Sequence, residues 1–316
     1  MKSIKIIEVK SDIGAGIPGA SLAIDEIKKI ASEIGSDFFK CYESFEIKNI
    51  SEKEKDNDYF VCAKNIKDTL NISENIAKHV KNILEEENFP LVISGDHSSA
   101  IGAIAGIKMA DKNKRVGVVW IDAHADLHSP YTTPSGNMHG MPVLASLGID
   151  NFEMKVRDIN EEIFNEWEKI KNIGGIFPKI NFEDLFYVGL RDYEEQEKRL
   201  IDKYNLPVIT SREITDFGTE KVVDKILKTL SNCDYIYISF DVDSLDPSVS
   251  CGTGISIPNG LKEIEATEII LGLIKSEKIC CFEITEVNPM LDKDKPMAKV
   301  AFNLLEKVAA QLNKGF

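Results

Sequence analysis

Residues 116–128 read Val-Gly-Val-Val-Trp-Ile followed at once by Asp-Ala-His-Ala-Asp-Leu-His. Six residues without polar alternation imply a strand covered on both faces, the condition of a parallel sheet rather than of a half-exposed hairpin. The polar burst from Asp122 then falls at the strand's carboxyl end, where doubly wound sheets open the crevice that receives ligands. Comparable runs occur at Ile4–Val9, Pro90–Ser94, Leu185–Leu190, Tyr235–Phe240 and Ile279–Ile284. Between them, helical patterns mark Ser21–Ile34, Ile66–Leu84, Ala100–Met109, Gln196–Tyr204, Thr219–Leu230, Lys262–Leu273 and Met297–Leu312. Strand and helix alternate as in βαβ crossovers. The expectation is an α/β fold, a single three-layer α/β/α domain over residues 1–316 with a largely parallel sheet. A charged stretch at 151–179, helix-prone around Glu161–Lys171, interrupts the alternation and reads as an insertion on one rim.

The 316 residues, 43% hydrophobic and 28% charged, suffice for a large core and exclude a mainly disordered or low-complexity chain. Acidic residues outnumber basic ones by 52 to 38, leaving a formal charge of −14 that repels phosphate backbones and anionic membranes. No nucleic-acid or membrane partner is expected. No apolar run reaches the roughly 18 residues of a membrane span, and Met1–Lys10 carries no legible secretory signal. Six scattered cysteines with no Cys-x-x-Cys suit reduced thiols in a cytoplasm.

Four polar clusters follow apolar runs: Ser94-Gly-Asp-His-Ser98, Asp122 to His128, Asp241-Val-Asp-Ser-Leu-Asp-Pro247 and Glu283-Ile-Thr-Glu-Val-Asn-Pro289. Of five histidines, His97, His124, His128 and His139 fall between positions 97 and 139, and His79 is expected on a helix surface. A lone Asp-x-Asp more often caps a turn, and Gly-Asp-His-Ser could simply cap the next helix. Their joint occurrence at buried strand ends favours a common pocket. If the backbone there stays extended, Asp122, His124 and Asp126 project to one side, as do Asp241 and Asp243. Carboxylates at contact distance in a partly buried site repel strongly unless a cation lies among them. The oxygen-rich set with imidazole nitrogens suits manganese better than a thiolate-selecting metal, and its surplus of carboxylates suits two bridged ions.

These motifs resemble those of the ureohydrolase family, most closely its bacterial arginase members, and the similarity covers nearly the whole chain. The resemblance implies one α/β/α domain around a roughly eight-stranded sheet and two Mn2+ per subunit. It places His97, Asp122, Asp126 and Asp241 on one ion, and His124, Asp122, Asp241 and Asp243 on the other. It further implies attack by a metal-bridging hydroxide oriented by Asp126, a proton shuttled by His139, and pairing of Glu286 with the substrate guanidinium beside Thr253. Homo-oligomers, trimers or hexamers, are the family's habit.

The metal motifs do not separate arginine from agmatine or formiminoglutamate. The segment from Thr133, Thr-Pro-Ser-Gly-Asn-Met-His-Gly, resembles the arginase loop whose Ser and Asn bind the substrate carboxylate, here Ser135 and Asn137. Glu194 and Glu197 match the acidic pair that reads the α-amino group. His128 stands where familiar arginases carry Asn, Ser94 where they carry Gly, and Glu194 where they carry Asp; these departures bear on substrate affinity more than on chemistry. The implied activity is hydrolysis of L-arginine to L-ornithine and urea, with agmatinase or another guanidino ureohydrolase as the enzyme alternative. A non-catalytic binding relative would be expected to have lost ligands, and all six are intact.

Overall fold

The computed structural model describes residues 3–48 and 60–314. Strands β1 (Ile4–Lys10), β2 (Glu43–Lys48), β3 (Phe89–Ser94), β4 (Val116–Ile121), β5 (Leu185–Val188), β6 (Val208–Ile209), β7 (Tyr235–Asp241) and β8 (Ile279–Thr285) form one sheet in the order β2-β1-β3-β8-β7-β4-β5-β6. Every neighbouring pair is parallel, so among the described residues the sheet is parallel throughout.

The period-two alternation of side chains divides the core into two. One face, with Ile4, Ile6, Leu91, Ile93, Ile238, Phe240 and Phe282, is covered by helices Ala23–Glu33, Thr219–Thr229, Glu263–Ile274 and Pro296–Asn313. The other, with Ile7, Val9, Val92, Val118, Trp120 and Tyr237, is covered by Ile66–Glu85, Ala100–Ala110, Pro142–Leu147 and Glu195–Tyr204. Each of these large apolar side chains contributes about 1.5–3 kcal/mol by leaving water, and Ser239 of β7 and Glu283 of β8 are polar residues buried within the central strands.

All six strand-like runs form strands, and each of the seven helical patterns is a helix with ends shifted by up to two residues. Leu185–Leu190 is shorter than its apolar run because Gly189 turns the chain at φ +87°. β2 escaped notice because its Glu-Ser-Phe-Glu-Ile-Lys sequence is half charged. It sits at the sheet edge, where Lys5 and Lys10 of β1 pair with Glu43 (3.1 Å) and Glu46 (2.7 Å). β6 has two residues, too few for any pattern. Helices Phe38–Cys41, Pro142–Leu147 and Ser211–Phe217 were not anticipated, although Pro142–Leu147 carries legible ends, Pro at its first turn and Gly148 at φ +73° after it. His79 is half-buried on helix Ile66–Glu85, its ring 5.0 Å from that of Phe45.

Helix Glu161–Lys171 occupies its expected place, started by the Asn160 side chain accepting from Ile163 N (2.8 Å). It inserts Ile163, Trp167 and Ile170 among Ile66, Leu70, Met138, Met141 and Ala145. Trp167 Nε1 donates to Asp150 Oδ1 (2.6 Å), and Lys171 Nζ reaches the same oxygen at 2.8 Å. The segment therefore shares the core of the site-bearing loops. Trp167→Ala is expected to cost about 3–5 kcal/mol, measured by urea unfolding; a loss below about 1 kcal/mol would mean that this helix is only loosely docked.

Candidate active site

β3, β8, β7 and β4 are consecutive in the sheet, so four distant parts of the chain deliver their polar ends to one place. β3 leads into Gly95, Asp96 and His97; β4 into Asp122 to His128; β7 ends on Asp241 and runs into Asp243; β8 leads into Glu286. His97, His124, Asp126, His128, Ser135, His139, Glu194, Glu197, Asp241, Asp243 and Glu286 all line one cleft of about 610 Å³ that opens to solvent. Asp122, Asn137 and Thr253 are outside that lining.

The convergence does not come from extended backbone. Asp126 turns at φ +52°, and Val242–Ser244 is a single 3-10 turn. Asp122 Oδ1 accepts from His124 N (2.7 Å), and Asp241 Oδ1 accepts from Asp243 N (2.7 Å). The turn-capping role and the site role thus belong to the same side chains, one oxygen for each. The second oxygens, Asp122 Oδ2 and Asp241 Oδ2, lie 3.0 and 3.2 Å from His97 Nδ1, and Asp126 Oδ2 lies at 3.2 Å. Yet His97 Nδ1 and Asp122 Oδ2 are buried with no hydrogen-bond partner. Acceptors and an imidazole nitrogen aimed at one point, without hydrogen-bond geometry between them, are what a cation would satisfy. A second group of Asp122, His124 and Asp243 adjoins the first, with His124 Nδ1 2.9 Å from Asp243 Oδ2 and 3.4 Å from Asp122 Oδ1. Asp122 belongs to both groups.

Charge balance without a cation is poor. Burial, reinforced by repulsion from Asp122, pushes Asp243 up to about 6. Asp241 is driven well above the ordinary carboxylate range by burial and by the Asp243 and Asp122 charges. Burial works against charge on His97 and His124 as well, but the surrounding carboxylates outweigh it and raise both. The imidazoles thus stand in as the positive charge that the carboxylates require.

Glu286, held at φ +64°, presents Oε1 to His97 N (3.0 Å) and to His139 Nδ1 (3.0 Å). Burial alone would lower His139, but the charge of Glu286 and the hydrogen bond to it prevail and bring it to about 9. Thr253 is buried with an unpartnered hydroxyl, and Gly254 beside it has its Cβ direction 4.0 Å from Glu286 Oε2. Ser135 is exposed on the cleft wall, its hydroxyl accepting from Asn137 N (3.2 Å). Asn137 Oδ1 accepts from Lys64 Nζ (3.0 Å). On the opposite wall His128 Nε2 meets Glu194 Oε2 at 2.9 Å and Glu197 Oε2 at 3.5 Å. Glu197 is buried and occupied by backbone, accepting from Leu127 N and Glu194 N (3.0 Å each), so it shapes the wall rather than facing it freely.

Two residues that position the site were missed. Asp96 is buried and accepts from Gly14 N (3.1 Å) and Ser98 N (2.9 Å), pinning the loop after β1 beneath His97; burial and the Glu286 charge push it up to about 6. Arg191, in the Gly-Leu-Arg-Asp run, sends its guanidinium to the carbonyls of Gly189 (3.0 Å), Asp243 (2.8 Å), Ser244 (3.2 Å) and Ile257 (2.8 Å). Its signal in the sequence was a cation directly after the apolar run of β5. Arg191→Ala strips several carbonyls of donors at once, at about 1–3 kcal/mol for each one left buried. The expected outcome is a lower urea midpoint together with poorer metal retention after dialysis; unchanged values of both would show that the loop after β7 stands without the clamp.

A model of the arginase family matches residues 2–310. The chain is 33% identical over 309 residues to the arginase of Bacillus subtilis (strain 168), covering 97% of each. It is 36% identical over 246 residues to the arginase of Brevibacillus brevis, covering 78% of this chain and 76% of that one. The solved native arginase of Bacillus caldovelox has a TM-score of 0.81 and 30% identity, with 98% of both chains covered. The matched span includes all four strand ends that build the cleft, and the chain belongs to the arginase family of hydrolases.

Proposed function

We propose that the protein hydrolyses L-arginine to L-ornithine and urea at a binuclear manganese site. The observation that carries this reading is the set of three carboxylate oxygens 3.0–3.2 Å from His97 Nδ1, adjoining the group of Asp122, His124 and Asp243. His97, Asp122, Asp126 and Asp241 would hold one ion, and His124, Asp122, Asp241 and Asp243 the other. Hard carboxylate oxygens with two imidazoles and no thiolate fit manganese among the common divalent ions. Two such ions would supply Lewis-acid charge and make a shared water acidic enough to lose a proton near neutrality.

The chain's own groups do the rest. Asp126, anchored through its carbonyl to Val143 N (3.2 Å), would orient the attacking water towards the guanidinium carbon. Glu286 has Oε1 engaged by His97 and His139, leaving Oε2 on the side of Gly254 and Thr253 for the forked cation of the substrate. His139 keeps a proton at Nδ1 against Glu286 and lies on the cleft wall, placed to protonate the departing amine. At the far end, Lys64 takes up Asn137 Oδ1, so only N–H donors of that amide remain for a carboxylate, beside the Ser135 hydroxyl. Glu194, paired with His128, would meet the α-amino group. A reducing, cytoplasmic setting belongs to the same proposal and is supported by the free thiols Cys41, Cys62, Cys233, Cys251 and Cys281. Among the described residues no helix is long and apolar enough to cross a membrane.

The deciding experiment is urea release from arginine, agmatine and other guanidino compounds after manganese loading. Arginine should be the fastest substrate, and Asp126→Asn should abolish release while weakening metal retention; normal turnover by that variant would contradict its assignment. Ser135→Ala or Asn137→Ala should raise KM for arginine about tenfold or more, since a lost hydrogen bond to a charged group is worth about 1.5–3 kcal/mol, and leave KM for agmatine nearly unchanged. Equal effects on both substrates would remove the carboxylate-reading role.

A further inference from the structure

The loop that carries Thr253 and the segment that carries Glu286 meet at a buried carboxylate to which the reaction assigns no part. Asp292, 2% exposed, stands between Glu286 and helix Pro296–Asn313. Its Oδ1 accepts from Met297 N (3.2 Å) and its Oδ2 from Ala298 N (3.1 Å), in the first turn of that helix, where Lys295 at the cap position supplies no side-chain bond. The same Oδ1 accepts from the Ser250 hydroxyl (2.8 Å), which in turn accepts from Gly252 N (2.9 Å). Gly252 rests directly on the carboxylate, and a Cβ there would lie 2.5 Å from Asp292 Cγ. Asn288 N donates to Gly252 O (2.8 Å), a second tie between the two segments. A helix start can be capped by an exposed Ser, Thr or Asp, so a carboxyl group taken out of water for that purpose alone is a needless cost.

We propose that Asp292 and Ser250 are positioning residues of the guanidinium subsite, holding the Thr253 loop at a fixed distance from Glu286. This rests on the reading of Glu286 and Thr253 given above and adds the pair that sets one against the other. Thr253 is 4% exposed, and its hydroxyl has no partner. Gly254 follows it with its Cβ direction 4.0 Å from Glu286 Oε2, the oxygen not taken by His97 or His139. A planar cation bound between a carboxylate and a hydroxyl tolerates little change in their separation, and misplacement by about 1 Å is enough to lose such contacts. The sheet does not supply that precision. Its register between β7 and β8 ends at Asp241 and Thr285, so beyond it the loop is placed by its own contacts. Asp292 places it from the helix: two bonds to helix amides fix the carboxylate, and the carboxylate fixes Ser250 and Gly252.

The test compares two variants of the full-length protein. Ser250→Ala cuts the tie to the loop and leaves both helix bonds of Asp292, whereas Gly252→Ala drives a methyl group against the carboxylate at a position that needs no left-handed backbone. After manganese loading, each should raise KM about 3–10-fold for arginine and agmatine alike, since both carry the guanidinium, and change kcat by less than about twofold. Arginine titrated calorimetrically into metal-stripped protein, where there is no turnover, should bind more weakly by a similar factor. Manganese uptake should match wild type, because Asp243 is held separately through Ala123 N and Arg191. A merely structural role would instead lower the urea midpoint and leave KM and Kd unchanged. In an Asp292→Ala background the added methyl has nothing to strike, so Gly252→Ala should raise KM by a smaller factor than it does alone; if Asp292→Ala fails to fold, judged by circular dichroism, the two single variants decide. Wild-type KM and Kd in both of those would overturn the positioning role and leave the proposed function standing. Wild type that binds arginine without releasing urea would refute the proposed function, and the Kd comparison would still decide the positioning role. Wild type that neither binds nor hydrolyses arginine or agmatine would overturn both.

Discussion

Negative charge brought together out of water is the constraint around which this protein is organised. Asp122, Asp126, Asp241 and Asp243 are all buried at the ends of adjacent strands, with His97 and His124 set among them. Such a group cannot hold its full charge unaided: burial and mutual repulsion push Asp243 and Asp241 towards the protonated form, while the imidazoles are drawn towards the charged one. A fold that assembles these groups at a cost in desolvation has to be rigid enough to prevent them from moving apart. The all-parallel sheet meets that requirement, because its carboxyl ends are tied laterally by the hydrogen bonds of neighbouring strands.

The loops achieve rigidity with few residues because the carboxylates serve twice. Asp122 and Asp241 each spend one oxygen on closing their own turn and aim the other at His97. Asp243 divides itself similarly between Ala123 N (3.1 Å) and His124 (2.9 Å), which ties the loop after β7 to the loop after β4. Tyr187 on β5 adds a bond from its hydroxyl to Ala125 O (2.7 Å). Arg191 clamps the carbonyls below. Left-handed backbone at Asp126 and Glu286, which costs of the order of 1–3 kcal/mol per residue, is sustained by these contacts.

The two walls of the cleft are built on different principles. The wall with Ser135 and Asn137 is a loop docked against residues 60–66 through Lys64 and through Gly136 at φ +75°, where a Cβ would lie 1.9 Å from Val61 O. The opposite wall is the start of helix Glu195–Tyr204, fixed by the reciprocal capping of Glu194 and Glu197 and by His128. Substrate selection in the proposed reaction therefore rests on elements that lie outside the charged centre and can vary without disturbing it.

The sequence by itself determined the α/β architecture and which polar clusters lie at strand ends. Runs such as Val116–Ile121 bury on both faces wherever they are placed, and polar residues directly after them must emerge at strand ends. It did not reveal β2 or β6, whose half-charged or two-residue sequences carry no periodic signal. Nor did it reveal how these side chains converge. Extended alternation grouped these residues for a reason that the turns at Asp126 and Val242–Ser244 replace. Strand order, the Arg191 clamp and the tie of Asp292 to Ser250 were decided only by the tertiary structure. Each joins residues dozens of positions apart or more, or depends on which strand lies beside which, and local pattern holds no information about neighbours that the chain reaches only by folding.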